Sequence, residues 1–140
     1  MSESLGVELA FIHIPRTAGT SCNLMMTQAF GRERLLRIND SDGDLRSHEF
    51  ADHTLDGVAA VAGHVTVEEF TNHPRMRERL IAGDRFLFTV VRDPIARAVS
   101  LFNYLNAKQP SDKDLSAKFE TFSRNYPKNR HWAYLDSAVC

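Results

Sequence analysis

The sequence predicts an α/β fold in which a parallel β-sheet is flanked by helices, for two reasons. Short apolar segments rich in β-branched and aromatic residues alternate with longer segments of helical character. Several of the short segments are nearly continuously apolar, which is typical of parallel strands covered on both faces. With 140 residues, 43% of them hydrophobic, the chain is long enough for one domain with a core. We therefore predict a single domain over residues 1–140.

The first predicted unit is a strand, a loop and a helix. Residues 7–14 form the strand, which Pro15 ends. The helix "CNLMMTQAF" follows, with Thr20 or Ser21 as its cap and an end near Gly31. Residues 34–38, "RLLRI", could be a short second strand, and the "NDSDGD" after them is typical of a turn.

The second half continues the alternation. Residues 58–62, "VAAVA", predict a buried strand, followed by short helices in "TVEEF" and in "HPRMRERLIAG", the latter ending at Gly83. Residues 86–91 have the strongest strand pattern and predict another buried strand. Asp93 suits the N-cap of the helix "PIARAVSLFNYLNAK", because Pro94 at its first position lacks an N–H that would be unpaired anyway. A further helix is predicted in "SDKDLSAKFETFSRNY", whereas residues 47–56 and 127–140 give no clear assignment.

The composition excludes several classes of partner and site. A formal net charge of -1 gives no general attraction to nucleic acid or acidic membranes, so an anion site must be built locally. Cys22 and Cys140 make neither a disulfide framework nor a metal spacing, and His48, His53 and His73 are irregularly spaced, so we expect no metal site. We find no basic leader and no apolar run near the about 18 residues of a membrane span, and we expect a cytoplasmic protein.

Three polar segments follow predicted strand ends: "PRTAGTS", "GHV" and "RDPIARAVS". Ligands of open parallel sheets bind outside the carboxyl ends of the strands. In the first segment, Ala18 and Gly19 let the backbone approach a ligand, and the amides of the helix start would face an anion. The side chains that would add charge and hydroxyl donors are Arg16, Thr17, Thr20 and Ser21. The segment lacks the GxxxxGK[ST] pattern of the phosphate loop, so an ordinary capped helix start explains it about equally well.

The segment "RDPIARAVS" is the stronger candidate for an anion site. Arg92 follows a predicted buried strand, and Ser100 lies two turns along the next helix, on a face that a bound phosphate could share with the helix start. An ion pair between Arg92 and either Asp93 or a carboxylate at the sheet edge is the structural alternative. Arg97 lies between them, and we interpret it as structural or solvated.

Two of these segments resemble motifs of a known enzyme family. "FIHIPRTAGTS" resembles the 5'-phosphosulfate loop, and "VVRDPIARAVSLFNYL" the 3'-phosphate segment, of the sulfotransferases that use 3'-phosphoadenosine 5'-phosphosulfate (PAPS). The similarity is greatest to the carbohydrate branch, which includes the heparan sulfate 2-O-sulfotransferases. The similarity covers residues 11–104, and a weaker similarity is present in "NRHW" at residues 129–132. The resemblance implies a P-loop-like sulfotransferase fold.

The resemblance also implies roles for individual residues. The 5'-phosphosulfate would lie against the loop and helix start, and the 3'-phosphate against Arg92 and Ser100. His64 would be the general base, because the 2-O-sulfotransferase branch has a similar Gly-His-Val; without the resemblance, a structural role is the commoner one for such a histidine. Arg16 would stabilise the leaving nucleotide, 3'-phosphoadenosine 5'-phosphate (PAP). The implied donor-binding residues are Arg16, Thr17, Ala18, Gly19, Thr20, Ser21, Arg92 and Ser100.

Three departures from the family pattern keep alternatives open. The family usually has lysine where this chain has Arg16, and arginine is a poor proton donor because it holds its proton tightly. "HWAY" stands where Pro-Gln tends to follow His-Trp, and the family's domain is usually longer, so the chain could be a C-terminally truncated fragment, a minimal member or a half that a partner completes. The alternative functions are a PAPS- or PAP-binding protein without turnover and, third, another nucleotide-dependent phosphotransferase.

The acceptor is the least determined part of the prediction. The resemblance implies a hydroxylated acceptor, a carbohydrate, but the loops that would contact it have no distinctive composition. Phe102 and Tyr104 could stack on a sugar ring, although core packing is the commoner use of aromatic residues at this spacing. His13, within the first strand, is expected to pack or hydrogen-bond there. The sequence does not decide whether an exposed apolar surface promotes formation of a homo-oligomer.

Overall fold

The computed structural model describes residues 7–39, 45–82, 86–108, 114–126 and 132–135. Its strands are β1 (Leu9–Ile12), β2 (Leu35–Ile38), β3 (Ala60–Gly63) and β4 (Phe86–Thr89). They form one parallel sheet in the order β2-β3-β1-β4. The α-helices are α1 (Gly19–Phe30), α2 (Ser47–Phe50), α3 (Val67–Asn72), α4 (Pro74–Ala82), α5 (Pro94–Lys108), α6 (Leu115–Asn125) and α7 (Trp132–Leu135). A 3₁₀ turn, Arg32–Arg34, precedes β2. The predicted α/β fold with a parallel sheet is confirmed.

The two central strands carry the core on both of their faces. Every residue of β3 is buried, and β1 is buried from Ala10 to Ile12. On one face, Ile12 and Val61 belong to a cluster with residues of α2, α3 and α4. On the other face, Phe11 packs with Met26 of α1. The continuous apolar pattern of these two strands therefore predicted their burial correctly.

The prediction that residues 86–91 form a buried strand is wrong in part. β4 forms at residues 86–89, but it pairs only with β1 within the described residues and lies at the edge of the sheet. Phe86 is 64% exposed and Val91 is 63% exposed. Apolar composition shows that a strand can be buried on both faces, but it does not show whether a neighbouring element covers it.

The helix boundaries follow the predicted signals with one exception. Helix α5 occupies the predicted segment, and Asp93 caps it by accepting the N–H of Ala96 at 2.8 Å. Helix α1 begins at Gly19, so neither Thr20 nor Ser21 is its cap. Ala18 takes that position in a left-handed conformation because the loop before it turns tightly. The predicted helix end at Gly83 and residues 129–131 of "NRHW" lie outside the described residues.

Helices α5 and α6 pack against each other through aromatic side chains. Phe102 is buried, with its ring centroid 5.1 Å from that of Phe119 and 5.4 Å from that of Phe122. The predicted core role is thus correct for Phe102. Tyr104 is 38% exposed, and the same expectation is wrong for it. Residues two positions apart on an α-helix are separated by about 200° around its axis. The side chains of Phe102 and Tyr104 therefore lie on opposite sides of α5.

Candidate functional site

The three predicted functional segments meet at one edge of the sheet. Ile12 at the end of β1 lies opposite both Gly63 of β3 and Thr89 of β4. Because all three strands are parallel, the chain leaves them at the same edge. The loop of residues 13–18, His64 and Arg92 therefore follow neighbouring strand ends, where ligands of parallel α/β sheets bind.

The loop of residues 13–18, which we call the anion loop, has a tightly held backbone. Arg16 (φ 69°) and Ala18 (φ 68°) adopt left-handed conformations, which cost about 1–3 kcal/mol each for residues other than glycine. Thr17 is only 1% exposed, and its hydroxyl donates to the carbonyl oxygen of Ile14 at 2.7 Å. The hydroxyl of Thr17 therefore stabilises the turn and is not the outward-facing donor that the sequence suggested.

The start of helix α1 has the chemistry of an anion-binding turn. Ala18 at the N-cap has no side-chain oxygen with which to accept a first-turn amide. Thr20 and Ser21 are exposed in that first turn. Unpaired amides and the positive end of the helix dipole both favour a negatively charged group there.

Gly19 has a packing role that the sequence did not indicate. It is buried, and a Cβ atom built on it would lie 1.6 Å from Nε2 of His13. The absence of a side chain thus lets the ring edge of His13 reach the first turn of the helix. Packing against His13 is therefore enough to explain why residue 19 is a glycine. The sequence had suggested a different reason, the close approach of the backbone to an anion.

His64 is oriented by its neighbours at the end of β3. Its Nδ1 atom lies 2.7 Å from the carbonyl oxygen of His13, and the two imidazole rings stack with centroids 4.2 Å apart. A carbonyl oxygen can only accept, so Nδ1 of His64 is the protonated nitrogen in this hydrogen bond. In the neutral ring the lone pair then lies on Nε2, which is the form that a general base requires.

Arg16 joins the anion loop to helix α5. Its Nε atom donates to Oγ of Ser100 at 3.1 Å, across 84 residues of sequence. Its Cζ atom lies 4.9 Å from the ring centroid of Tyr104, and Nζ of Lys108 lies 4.6 Å from the same centroid. Two residues predicted for separate phosphate positions are therefore in contact, and Tyr104 belongs to this surface.

Arg92 is exposed beyond the end of β4. Within the described residues no hydrogen bond joins it to Ser100, whose hydroxyl oxygen accepts from Arg16. Asp93 uses its carboxylate to cap α5. The structural alternative of an ion pair between Arg92 and Asp93 is not formed among the described residues.

Arg97 is the feature of the site that the sequence analysis underestimated. It is 1% exposed, and its Nε atom donates to the carbonyl oxygen of Pro15 at 2.8 Å. Nη1 donates to the hydroxyl of Tyr126, while Nη2 is buried without a hydrogen-bond partner among the described residues. Arg97, Ser100 and Tyr104 are spaced at i, i+3 and i+7 on α5, and this stripe was the signal that could have placed them together.

The buried guanidinium and the uncapped helix start fit an anionic ligand. No carboxylate pairs with Arg97 in the part of the chain that the structure describes, and an uncompensated buried charge is costly. A phosphate or sulfate group at the anion loop would offset that cost. The arrangement therefore suits an anionic group at this edge of the sheet.

The described part of the chain also has a groove outside the predicted site. A groove of about 580 Å³ lies beside β2, away from the predicted site residues. It is lined by Thr27, Arg32, Leu35, Leu36, Arg37, Leu45, Glu49 and His53. Across the described ranges, no three histidine, cysteine or acidic side chains are grouped as metal ligands would be. None of the described helices combines the length and the apolar composition needed to cross a membrane.

A parallel α/β sheet with a helix start, a histidine and arginines at its carboxyl edge is typical of a protein that binds an anionic ligand there. The family model described as "Sulfotransferase family" matches residues 7–140. The chain therefore belongs to the sulfotransferase family and is an enzyme of sulfuryl transfer. Members of this family generally use PAPS as the donor. No curated protein and no solved structure matched the chain in the corresponding searches.

Proposed function

We propose that this sulfotransferase transfers the sulfuryl group of PAPS to a hydroxyl group of a carbohydrate, with His64 as the general base. The observation that carries the proposal is the hydrogen bond from Nδ1 of His64 to the carbonyl of His13, because it leaves the lone pair on Nε2. This base lies beside the anion loop, at the end of the strand next to β1. The resemblance of "GHV" to the 2-O-sulfotransferase branch supports the same role.

The donor would lie across the anion loop and the start of α5. Its 5' end would be held by the backbone amides from Thr17 to Ser21 and by the exposed hydroxyls of the first turn of α1. Its 3'-phosphate would bind Arg92 and Ser100. The buried charge of Arg97 supports the loop from behind through the carbonyl of Pro15. When bound, the donor supplies a sulfuryl group activated by its anhydride link to phosphate.

The residues of the site would have distinct roles in the proposed reaction. Nε2 of His64 accepts the proton of the acceptor hydroxyl as that oxygen becomes a nucleophile. Its Nδ1–H remains bonded to the His13 carbonyl and stabilises the imidazolium that forms. Arg16 provides fixed positive charge near the departing nucleotide, and it acts by electrostatic stabilisation without giving up a proton.

Calorimetric titration with PAP, the nucleotide product, tests the donor site. We expect PAP to bind more tightly than 5'-AMP, which lacks the 3'-phosphate, and than ATP with magnesium. Arg92→Ala should weaken PAP binding about 10- to 100-fold, because a hydrogen bond to a charged group contributes about 1.5–3 kcal/mol. Arg124→Ala is the matched control, since Arg124 is exposed on α6 and pairs with Glu120. Equal binding of PAP and 5'-AMP would contradict the assignment of the 3'-phosphate.

Transfer from radiolabelled PAPS to a panel of oligosaccharides tests the reaction. His64→Ala should lower kcat about 10²- to 10⁴-fold, the range of a general base, while PAP binding is retained. A variant that keeps most of its turnover would exclude His64 as the base. Transfer to phenols or steroids in place of sugars would exclude the carbohydrate acceptor.

Binding without turnover is the second candidate, and one observation favours it. Nε of Arg16 is bonded to Ser100, so the guanidinium is directed towards α5. Arg16→Lys separates the two candidates. If only the lysine variant transfers the sulfuryl group, the natural chain is a binding protein; if both do so, it is a working transferase.

A further inference from the structure

We propose that His13 is a positioning residue for His64: its ring and its carbonyl oxygen together fix the plane and the tautomer of the His64 imidazole. This inference rests on the proposed role of His64 as the base. His13 contacts His64 twice, through the 2.7 Å hydrogen bond to its carbonyl and through rings that stack 24° from parallel. The backbones are also joined, because the N–H of His13 donates to the carbonyl of Gly63 at 2.8 Å.

The ring of His13 is itself held on its other sides. It stacks on Phe11 with centroids 5.7 Å apart and 18° between the planes. Its Nε2 edge fills the space above Gly19, where even a methyl group would lie 1.6 Å away. The ring therefore cannot turn away from His64 without displacing the start of α1, which is the helix that would hold the donor.

This support acts on the part of the geometry that the Nδ1 hydrogen bond does not define. The hydrogen bond fixes the position of Nδ1, but the plane of the ring can still tilt, and a tilt moves Nε2. Stacking on a second held ring limits this tilt and keeps Nε2 aimed at one point. A misplacement of about 1 Å in a reacting group can cost about 10²-fold in rate, so the support has a measurable effect.

The test compares three substitutions of His13 that all keep its backbone carbonyl. His13→Phe retains a flat ring that can stack, His13→Leu fills the space without an aromatic face, and His13→Ala removes both. His48→Ala is the matched control, because His48 is exposed on α2. The readouts are kcat and KM for transfer, the Kd for PAP, and the ¹⁵N spectrum of the His64 ring, which distinguishes protonated from unprotonated nitrogen.

We expect the alanine and leucine variants to lose about 10- to 100-fold in kcat, with the Kd for PAP changed less than about twofold. The phenylalanine variant should retain more of the rate than the leucine variant, because it keeps a flat ring that can stack, although its longer ring presses on Gly19. In the natural chain and in His13→Phe, the spectrum should show His64 protonated at Nδ1; in His13→Ala and His13→Leu, the two tautomers should mix. If the alanine variant does not fold, the comparison of leucine with phenylalanine provides the same test.

The readouts separate the two ideas. If the natural chain binds PAP but shows no transfer, mixing of tautomers in His13→Ala and His13→Leu would support the positioning role and contradict the role of His64 as a base. An unchanged His64 spectrum in folded His13→Ala or His13→Leu would overturn the positioning role. A normal kcat in these variants, with His64→Ala inactive, would overturn it as well.

Discussion

Replacing Gly19 by alanine tests how closely the start of α1 is packed against His13. The added methyl group would lie 1.6, 2.0 and 2.2 Å from three atoms of the His13 ring, where the ordinary separation of carbon atoms is about 3.5–4.0 Å. The ring or the helix must therefore move by about 2 Å. Such overpacking costs about 1–3 kcal/mol, and the stack on His64 makes the upper end appropriate. Alanine is favoured over glycine within a helix by about 1 kcal/mol, which leaves a net loss of about 2 kcal/mol.

Urea unfolding followed by circular dichroism measures this loss, and a double-mutant cycle assigns its cause. Gly19→Ala should lower the free energy of unfolding by about 2 kcal/mol in the natural chain, which corresponds to about 7 °C in Tm. In a His13→Ala background the ring is absent, so the same substitution should be neutral or stabilising by up to about 1 kcal/mol. An equal loss in both backgrounds, or a gain in the natural chain, would refute the packing argument.

Three further predictions concern residues around the site. Arg97→Met should cost about 1–3 kcal/mol in urea unfolding, because the carbonyl of Pro15 loses its buried donor, and removal of an uncompensated charge offsets part of that cost. Tyr126→Phe, which removes the acceptor of Nη1, should cost about 1 kcal/mol. Unchanged stability of Arg97→Met would contradict the role of its hydrogen bond to the loop. Asp93→Ala should remove the cap of α5 and lower Tm by about 3 °C, whereas Asp93→Asn should be nearly neutral in the same thermal scan. Burial raises the pKa of the Cys22 thiol, so little of the reactive thiolate is present at neutral pH. In a Cys140→Ser variant, alkylation of Cys22 followed by mass spectrometry should be slow at neutral pH and accelerate as the pH rises. Fast alkylation at neutral pH would contradict the raised pKa.

The sequence predicted the parts of the fold that depend on local chemistry. The buried pattern of β3, the cap at Asp93 and the extent of α5 each follow from residues within one segment. The exposure of β4 could not be predicted in this way, because it depends on which elements lie beside that strand in space. The left-handed Ala18 at the start of α1 also depends on the path of the whole loop, since alanine has no intrinsic preference for that conformation.

The candidate site shows the same division. The polar segments after the predicted parallel strands indicated that the anion loop, His64 and Arg92 would lie at one edge, and the parallel pairing of β1 with β3 and β4 agrees with this. The contacts of individual side chains could not be predicted from the sequence, because these contacts join segments that are far apart along the chain. The stacking of His13 on His64 and the burial of Arg97 beneath the loop are of this kind.

The hydrogen bond between Arg16 and Ser100 has a direction that matters for the proposed donor site. Nε of Arg16 donates to Oγ of Ser100, so the contact uses a lone pair of the serine oxygen and not its proton. In the proposed site, a phosphate would accept that proton while the contact with Arg16 stays in place. A guanidinium that donates to the hydroxyl oxygen also polarises the hydroxyl group and strengthens the hydrogen bond that the hydroxyl donates. Arg16 would therefore act on the 3'-phosphate through Ser100, in addition to its proposed role beside the departing end of the nucleotide.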